Sequence, residues 1–195
     1  MLKRFLQSLL ALLGTAALLL AVVAWQYFIG HNFRTVEKGA FYGSRQMSGA
    51  ALERTIRKYD IKTVINLRGE NTDQDWYREE TAACRRAGVA HISFGWSKNR
   101  LPPPESLARF VMLIEEGKKP FLAHCEGGTH RTGVAAAVYL LLRGESPDSA
   151  RGQFGPMFKD APIGELVTLY EQSDLPFRQW VLEAYPAIYA ARNVS

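Results

Sequence analysis

The sequence FLAHCEGGTHRTG occupies residues 121–133 and joins two apolar segments through a short polar turn. Residues 121–123 predict a short buried strand, and the nearly all-apolar residues 132–143 predict a buried helix. The turn contains Gly127 and Gly128, which permit a tight backbone path. The stretch therefore predicts a strand–loop–helix unit.

Strand and helix patterns alternate along the rest of the chain. Short β-rich runs at 41–42, 63–67 and 90–94 predict further strands. Helical spacing predicts helices in the segments between and after them, at 48–59, 72–87, 107–114, 163–170 and 177–184. Thr72 and Asp75 match a helix-start box. The pattern predicts an α/β fold with a small, mostly parallel central sheet flanked by helices, and ligands bind such sheets at their carboxyl edge.

The turn has the residue types needed to bind and attack a phosphate group. A glycine-containing turn at a helix start can direct successive backbone N–H groups inward, which forms a nest for a tetrahedral dianion. The same field favours the thiolate of Cys125, the form that acts as a nucleophile. Arg131 supplies a planar fork for two phosphoryl oxygens, and Thr132 can donate its hydroxyl to the departing sulfur. His124 would orient the loop from behind.

A plain structural interpretation is a buried cysteine followed by an ordinary turn. A bare Cys-x5-Arg pattern is common by chance. Here it is preceded by a strand and His124, contains two glycines, and is followed by Thr132, Gly133 and an apolar helix. This combination favours the catalytic interpretation, and it predicts that the phosphate-binding loop consists of Glu126, Gly127, Gly128, Thr129, His130 and Arg131.

The region from about residue 41 to 170 resembles the dual-specificity branch of the cysteine-dependent protein tyrosine phosphatase superfamily, in its bacterial, membrane-anchored or exported form. HCEGGTHRTG, residues 124–133, is similar to the phosphate-binding loop of that family, and FYGSRQMSGAALERTIRKYDIKTVINLRGE, residues 41–70, to its strand–helix–strand opening. The resemblance implies phosphoryl transfer to Cys125 and then hydrolysis of the phosphocysteine, without a metal or organic cofactor.

The family's general acid is missing from its usual place. Its members use an aspartate on a mobile loop before the cysteine, and the matching position here is Asn99, which cannot release a proton. Three replacements remain open. They are His130, whose pKa a bound phosphate dianion and thiolate would raise, Glu126, and the acidic cluster of Glu70, Asp73 and Asp75.

Three functions are compatible with these residues. The first is a phosphatase for phosphotyrosine, phosphoprotein or another phosphomonoester, with a lipid headgroup phosphate included. The second is a catalytically weak phosphate-binding pseudophosphatase module that retains Cys125 and Arg131 but lacks an acid. The third is a rhodanese-type sulfurtransferase, which the arginine spacing and the Thr132–Gly133 pair disfavour.

The N-terminus predicts a membrane segment. Residues 5–29 contain no charged side chain, which is enough apolar length for a single transmembrane helix, and Trp25 and Tyr27 lie near its end. A cleaved secretory signal is the alternative, with Val22-x-Ala24 as its cleavage site. We expect an anchor at 1–30 and a catalytic domain at 31–195.

Charge near the anchor predicts an orientation. Lys3 and Arg4 favour a cytoplasmic N-terminus, which places the catalytic domain in the periplasm, although Arg34, Lys38 and Arg45 weaken the asymmetry. The net charge of +5 is spread along the chain, and we expect anionic ligands but no nucleic acid partner. The histidines and cysteines fit no zinc spacing, so we expect no metal.

Cys84 has two interpretations. Its position one heptad after Tyr77 favours packing in the core. The alternative is a resolving thiol that forms a disulfide with Cys125 under oxidation.

Overall fold

A computed structural model describes residues 2–154 and 164–193. Its centre is a five-stranded sheet with the order β1-β2-β5-β3-β4, in which β1 is antiparallel to β2 and the other neighbours are parallel. The strands are β1 (Arg34–Glu37), β2 (Phe41–Arg45), β3 (Thr63–Asn66), β4 (Ala90–Ser93) and β5 (Phe121–Cys125). The predicted α/β fold with a small, mostly parallel sheet is confirmed.

One helix precedes the sheet, and the others connect the parallel strands or follow the last strand. They are α1 (Leu2–Phe28), α2 (Gly49–Tyr59), α3 (Asp75–Ala87), α4 (Pro104–Glu116), α5 (His130–Leu142), α6 (Pro147–Arg151), α7 (Glu165–Tyr170), α8 (Phe177–Gln179) and α9 (Tyr185–Asn193). A 3₁₀ turn, Gly152–Phe154, follows α6, and a π-helical turn, Trp180–Ala184, joins α8 to α9.

The sheet separates two apolar cores because successive strand residues point to opposite faces. Phe121, Ala123 and Cys125 of β5 belong to the larger core, which includes α4, α5 and the C-terminal helices. Leu122 belongs to the smaller core beneath α2 and α3. The central strand β5 is buried along its whole length, so its last residue reaches the sheet edge from a fixed base.

Several element boundaries differ from those predicted. The strand at 121–123 extends through Cys125, and the antiparallel strand β1 was not predicted because it has only four residues and none of them is fully buried. Helix α3 begins at Asp75 with Gln74 as its N-cap residue, so the predicted helix-start box at Thr72 is wrong. Ile163, part of the pattern for α7, lies outside the described residues.

Helix α1 is separate from both cores. From Lys3 to Gln26 its side chains are exposed, and Lys3–Tyr27 is long and apolar enough to cross a membrane by length and composition. A signal sequence near an N-terminus passes the same test. The geometry of the helix is therefore compatible with both interpretations of the N-terminal segment.

Candidate active site

The loop between β5 and α5 closes tightly against the end of β2. Gly128 adopts a left-handed φ of +72°, and a Cβ atom there would lie 2.5 Å from the backbone nitrogen of Arg45. Any side chain would therefore force the loop and β2 apart. The glycine that the sequence places in the turn is required by both its conformation and its close packing.

Three donors bind the outer side of the loop. Asn32 Nδ2 donates to the Gly127 carbonyl at 2.9 Å, Arg34 Nη2 donates to the Gly128 carbonyl at 2.8 Å, and the Gln46 backbone N–H donates to the Glu126 carbonyl at 3.2 Å. In a trans peptide the N–H points away from the carbonyl. The three carbonyls point outwards to their donors. The N–H group that follows each carbonyl therefore points into the loop, as an anion nest needs.

Cys125 and Arg131 lie at the two ends of this loop. Cys125, the last residue of β5, is 3% exposed, and Arg131 is in the first turn of α5. Arg131 Nη1 donates to the Leu67 carbonyl at 3.4 Å, just beyond β3. The Arg131 Nε is buried and has no hydrogen-bond partner among the described residues, so the guanidinium keeps a donor for an incoming anion.

Thr132 lies below the loop in a fully buried position. Its hydroxyl donates to the Ser44 carbonyl at 3.3 Å, and within the described chain it makes no hydrogen bond to the Cys125 sulfur. The predicted contribution of Thr132 to sulfur departure would require its hydroxyl to turn from β2 towards the loop.

A buried carboxylate, which was not predicted, supports the loop from behind. Glu80 on α3 is 1% exposed, and its Oε1 lies 2.7 Å from His91 Nε2 and 3.0 Å from His124 Nε2. The 3.0 Å approach of His124 is a close polar contact that does not have the geometry of a hydrogen bond. Gln46, whose backbone binds the loop, donates its side-chain amide to Glu80. No sequence pattern indicated this role for Glu80, since one glutamate on a helix is usually a solvated residue.

The sequence model of a family described as "DSP-PTPase phosphatase fused to NAD+ Kinase" matches residues 20–161, more than half of the chain. The chain belongs to this family. The match begins inside α1 and includes the Cys125 loop.

Individual relatives agree with the family match. The chain is 34% identical over 92 residues to receptor-type tyrosine-protein phosphatase V of Rattus norvegicus, covering 40% of this chain and 5% of that much longer protein. In fold it is similar to the Siw14 catalytic core, with a TM-score of 0.59, 19% identity and coverage of 84% of this chain and 92% of that one. It is also similar to a variant of P. aeruginosa TpbA in complex with pTyr, with a TM-score of 0.57, 18% identity and coverage of 80% and 92%.

The loop that carries the acid in the DSP-PTPase family is basic here. It begins with buried Trp96, whose indole N–H donates to Ser106 at 2.9 Å, and continues through the exposed side chains of Lys98, Asn99 and Arg100. Asn99 therefore lies on an exposed segment that is anchored at one end. The described part of this loop contains no carboxylate before Glu105.

The structure places the possible replacement acids in different environments. His130 begins α5, and burial, followed by the charges of Lys98 and Arg131, lowers its pKa below the usual 6.5. The lowered pKa of His130 is opposite to the raised pKa that we expect when phosphate is bound. Glu126 is exposed on the loop, and the cluster of Glu70, Asp73 and Asp75 is exposed, with Asp75 paired to Arg78 on α3.

Cys84 packs in the smaller core, on the face of the sheet opposite that of Cys125. Burial, and then the nearby Glu80 carboxylate, raise the pKa of Cys84 to about 12. A thiol that stays protonated is a poor partner for disulfide exchange, so the packing interpretation is the one that the geometry favours.

Proposed function

We propose that this chain is a cysteine-dependent phosphatase that hydrolyses phosphate monoesters through a phosphocysteine on Cys125. The observation that carries the proposal is the position of Cys125 at the end of β5, directly before a loop whose carbonyls are bound by Asn32, Arg34 and Gln46. Such a loop offers inward N–H donors and the Arg131 guanidinium to a phosphoryl group.

The reaction would proceed in two displacements. The Cys125 thiolate attacks phosphorus, so that an S–P bond forms and the P–O ester bond breaks, with the electron pair leaving on the ester oxygen. Water then attacks the same phosphorus, the S–P bond breaks, and inorganic phosphate and the thiolate are released. The N–H groups and Arg131 bind the phosphoryl oxygens throughout both steps.

Aryl phosphates, with phosphotyrosine among them, are the proposed substrate class. A leaving group of low basicity needs no proton in the first step, and this suits a site whose acid loop has Asn99 in the acid position. The pTyr ligand of the TpbA complex supports the same class, as does the name of the rat relative. The absence of a carboxylate from residues 95–104 favours the second candidate, a phosphate-binding module with slow turnover.

The proposed form of the protein is a single-pass membrane protein in which helix α1 is the anchor and residues 31–195 form the catalytic domain in the periplasm. The exposed apolar surface of α1 supports the anchor, and Lys3 and Arg4 support the orientation.

Release of inorganic phosphate from 4-nitrophenyl phosphate by the detergent-solubilised full chain tests the function. Turnover that disappears in Cys125→Ser is the expected result. Oxyanion binding without turnover would establish the weak binding module, and thiocyanate formation from thiosulfate and cyanide would establish a sulfurtransferase.

A further inference from the structure

A second arginine lies beside the phosphate loop, and the mechanism above does not use it. Arg68 immediately follows Leu67, whose carbonyl accepts the hydrogen bond from Arg131 Nη1. Its backbone is fixed by a bond from its own N–H to Asn66 Oδ1 at 2.8 Å and by a β-bridge to Gly95. The Arg131 guanidinium therefore contacts the chain one residue before Arg68, just beyond the end of β3.

The Arg68 side chain is held in one orientation. Its guanidinium carbon lies 3.7 Å from the centroid of the Trp76 ring, and Nη1 donates to Gln46 Oε1 at 3.2 Å. Gln46 is itself fixed, because its backbone N–H binds the Glu126 carbonyl and its side-chain amide binds Glu80. Ordering a long cationic side chain costs conformational entropy, and here stacking and hydrogen bonding have already offset that cost before a ligand arrives.

Arg68 has no carboxylate partner in the described parts of the chain, where the ion pairs within 4.0 Å do not include it. Its electrostatic neighbours include the Glu126 carboxylate, Arg131 and the Cys125 sulfur. One phosphoryl group in the loop is already matched by Arg131 and the N–H nest. A second oriented cation next to the first is therefore suited to a second anionic group on the same ligand.

We propose that Arg68 forms a second anion subsite beside the phosphate loop and selects phosphate esters that carry another phosphoryl group next to the one transferred. The proposed substrate class rests on the proposed phosphatase function, whereas the binding of a second anionic group at Arg68 does not depend on that function. The Glu126 carboxylate competes with an anionic ligand for Arg68, because it is exposed on the phosphate loop and is an acidic neighbour of Arg68.

Calorimetric binding of inorganic phosphate and pyrophosphate to the full-length Cys125→Ser variant in detergent tests the subsite without turnover. We expect pyrophosphate to bind at least about tenfold more tightly than phosphate, which is the effect of one charge-assisted hydrogen-bond pair. Arg68→Gln in the same background should remove most of this preference, and Arg68→Lys, which retains the charge without the planar fork, should retain part of it. Glu126→Gln should increase the preference for pyrophosphate over phosphate.

Arg78→Gln is the matched control, since Arg78 is an exposed arginine on α3 that pairs with Asp75. It should leave the ratio of the two affinities unchanged. The subsite is rejected if Arg68→Gln weakens both ligands equally, or if phosphate and pyrophosphate bind equally before Arg68 is changed. Pyrophosphate selectivity without hydrolysis of any ester by the Cys125 protein would reject the proposed function and keep the subsite.

Discussion

Oε1 of Glu80 lies 3.0 Å from Nε2 of His124, which links helix α3 to the residue immediately before the nucleophile. Burial alone would raise the pKa of Glu80, but His124, together with hydrogen bonds from His91 and Gln46, lowers it to about 2. The carboxylate is therefore ionised in the folded protein at every pH at which the protein is expected to work. It contributes to stability because it is paired in the folded state.

Glu80→Gln should destabilise the protein at pH 7 by about 3 kcal/mol, which is the free energy that corresponds to the lowered pKa. Because the folded pKa lies below the ordinary value of 4.5, the advantage of the native protein is complete above pH 4.5 and is lost as the pH falls towards 2. Denaturant unfolding at pH 7 and pH 3, followed by tryptophan fluorescence, measures the difference. Glu79→Gln, an exposed neighbour on α3, is the control, and a Glu80→Gln deficit of equal size at both pH values would contradict this account.

Cys125→Ser should abolish turnover while phosphate binding is largely retained. The hydroxyl is a far weaker nucleophile than the thiolate, but the loop N–H groups and Arg131 are unchanged. Phosphate release and calorimetry on the same preparation measure the two properties. Full turnover in this variant would show that another group attacks phosphorus.

Arg131→Ala should lose both binding and rate, with a fall in kcat of about 10²–10³-fold, the range for removal of one transition-state donor. Arg131→Lys should recover only part of this, because a lysine cannot provide the two-donor fork. Steady-state kinetics with 4-nitrophenyl phosphate gives kcat and KM separately. A change confined to KM would mean that Arg131 binds the substrate and the transition state equally.

The missing acid predicts a strong dependence on the leaving group. Without a proton donor, alkyl phosphates should react far more slowly than activated aryl phosphates, and Asn99→Asp should raise the alkyl rates by up to about 10²–10⁴-fold. Asn99→Gln is the control for changes in the loop itself. The measurement is a plot of log kcat against leaving-group pKa for each variant.

A flat plot for the native enzyme would mean that an acid is already present. If His130 supplied the proton, the alkyl rates would fall as the pH rises through its lowered pKa, below 6.5, because the imidazole must be protonated to donate. His130→Ala would then remove that pH dependence. Glu126→Gln would test whether Glu126 is the acid, and His130→Asp would test whether a carboxylate at that position can donate the proton.

The anchor proposal predicts that the full-length protein remains with membranes after carbonate extraction, whereas a fragment starting at residue 31 is soluble. The reason is that the apolar side chains of α1 are exposed and need lipid contact. An isolated protein whose first residue is Trp25 would establish a cleaved signal instead.

The sequence was sufficient for what depends on local pattern. Alternation of apolar runs predicted the α/β layers, and the spacing of Cys125, two glycines and Arg131 predicted the loop. It was insufficient for contacts between distant segments. Asn32, Arg34 and Glu80 reach the loop and His124 from other elements, and no local periodicity marks a residue whose partner is 44–95 positions away. The Thr72 box was wrong because capping residues are common in loops and only the backbone path decides which one starts a helix.

The bond from Asn32 to Gly127 has a consequence for the reach of the enzyme. Helix α1 ends at Phe28, four positions before Asn32, and four extended residues span at most about 14 Å. A catalytic domain on a long tether can reach far from its membrane, whereas with α1 as the proposed anchor this active site would stay at a nearly constant distance from the bilayer. It would meet only substrates that lie in the bilayer surface or come close to it. Its diffusion towards substrates would therefore be two-dimensional, along the membrane.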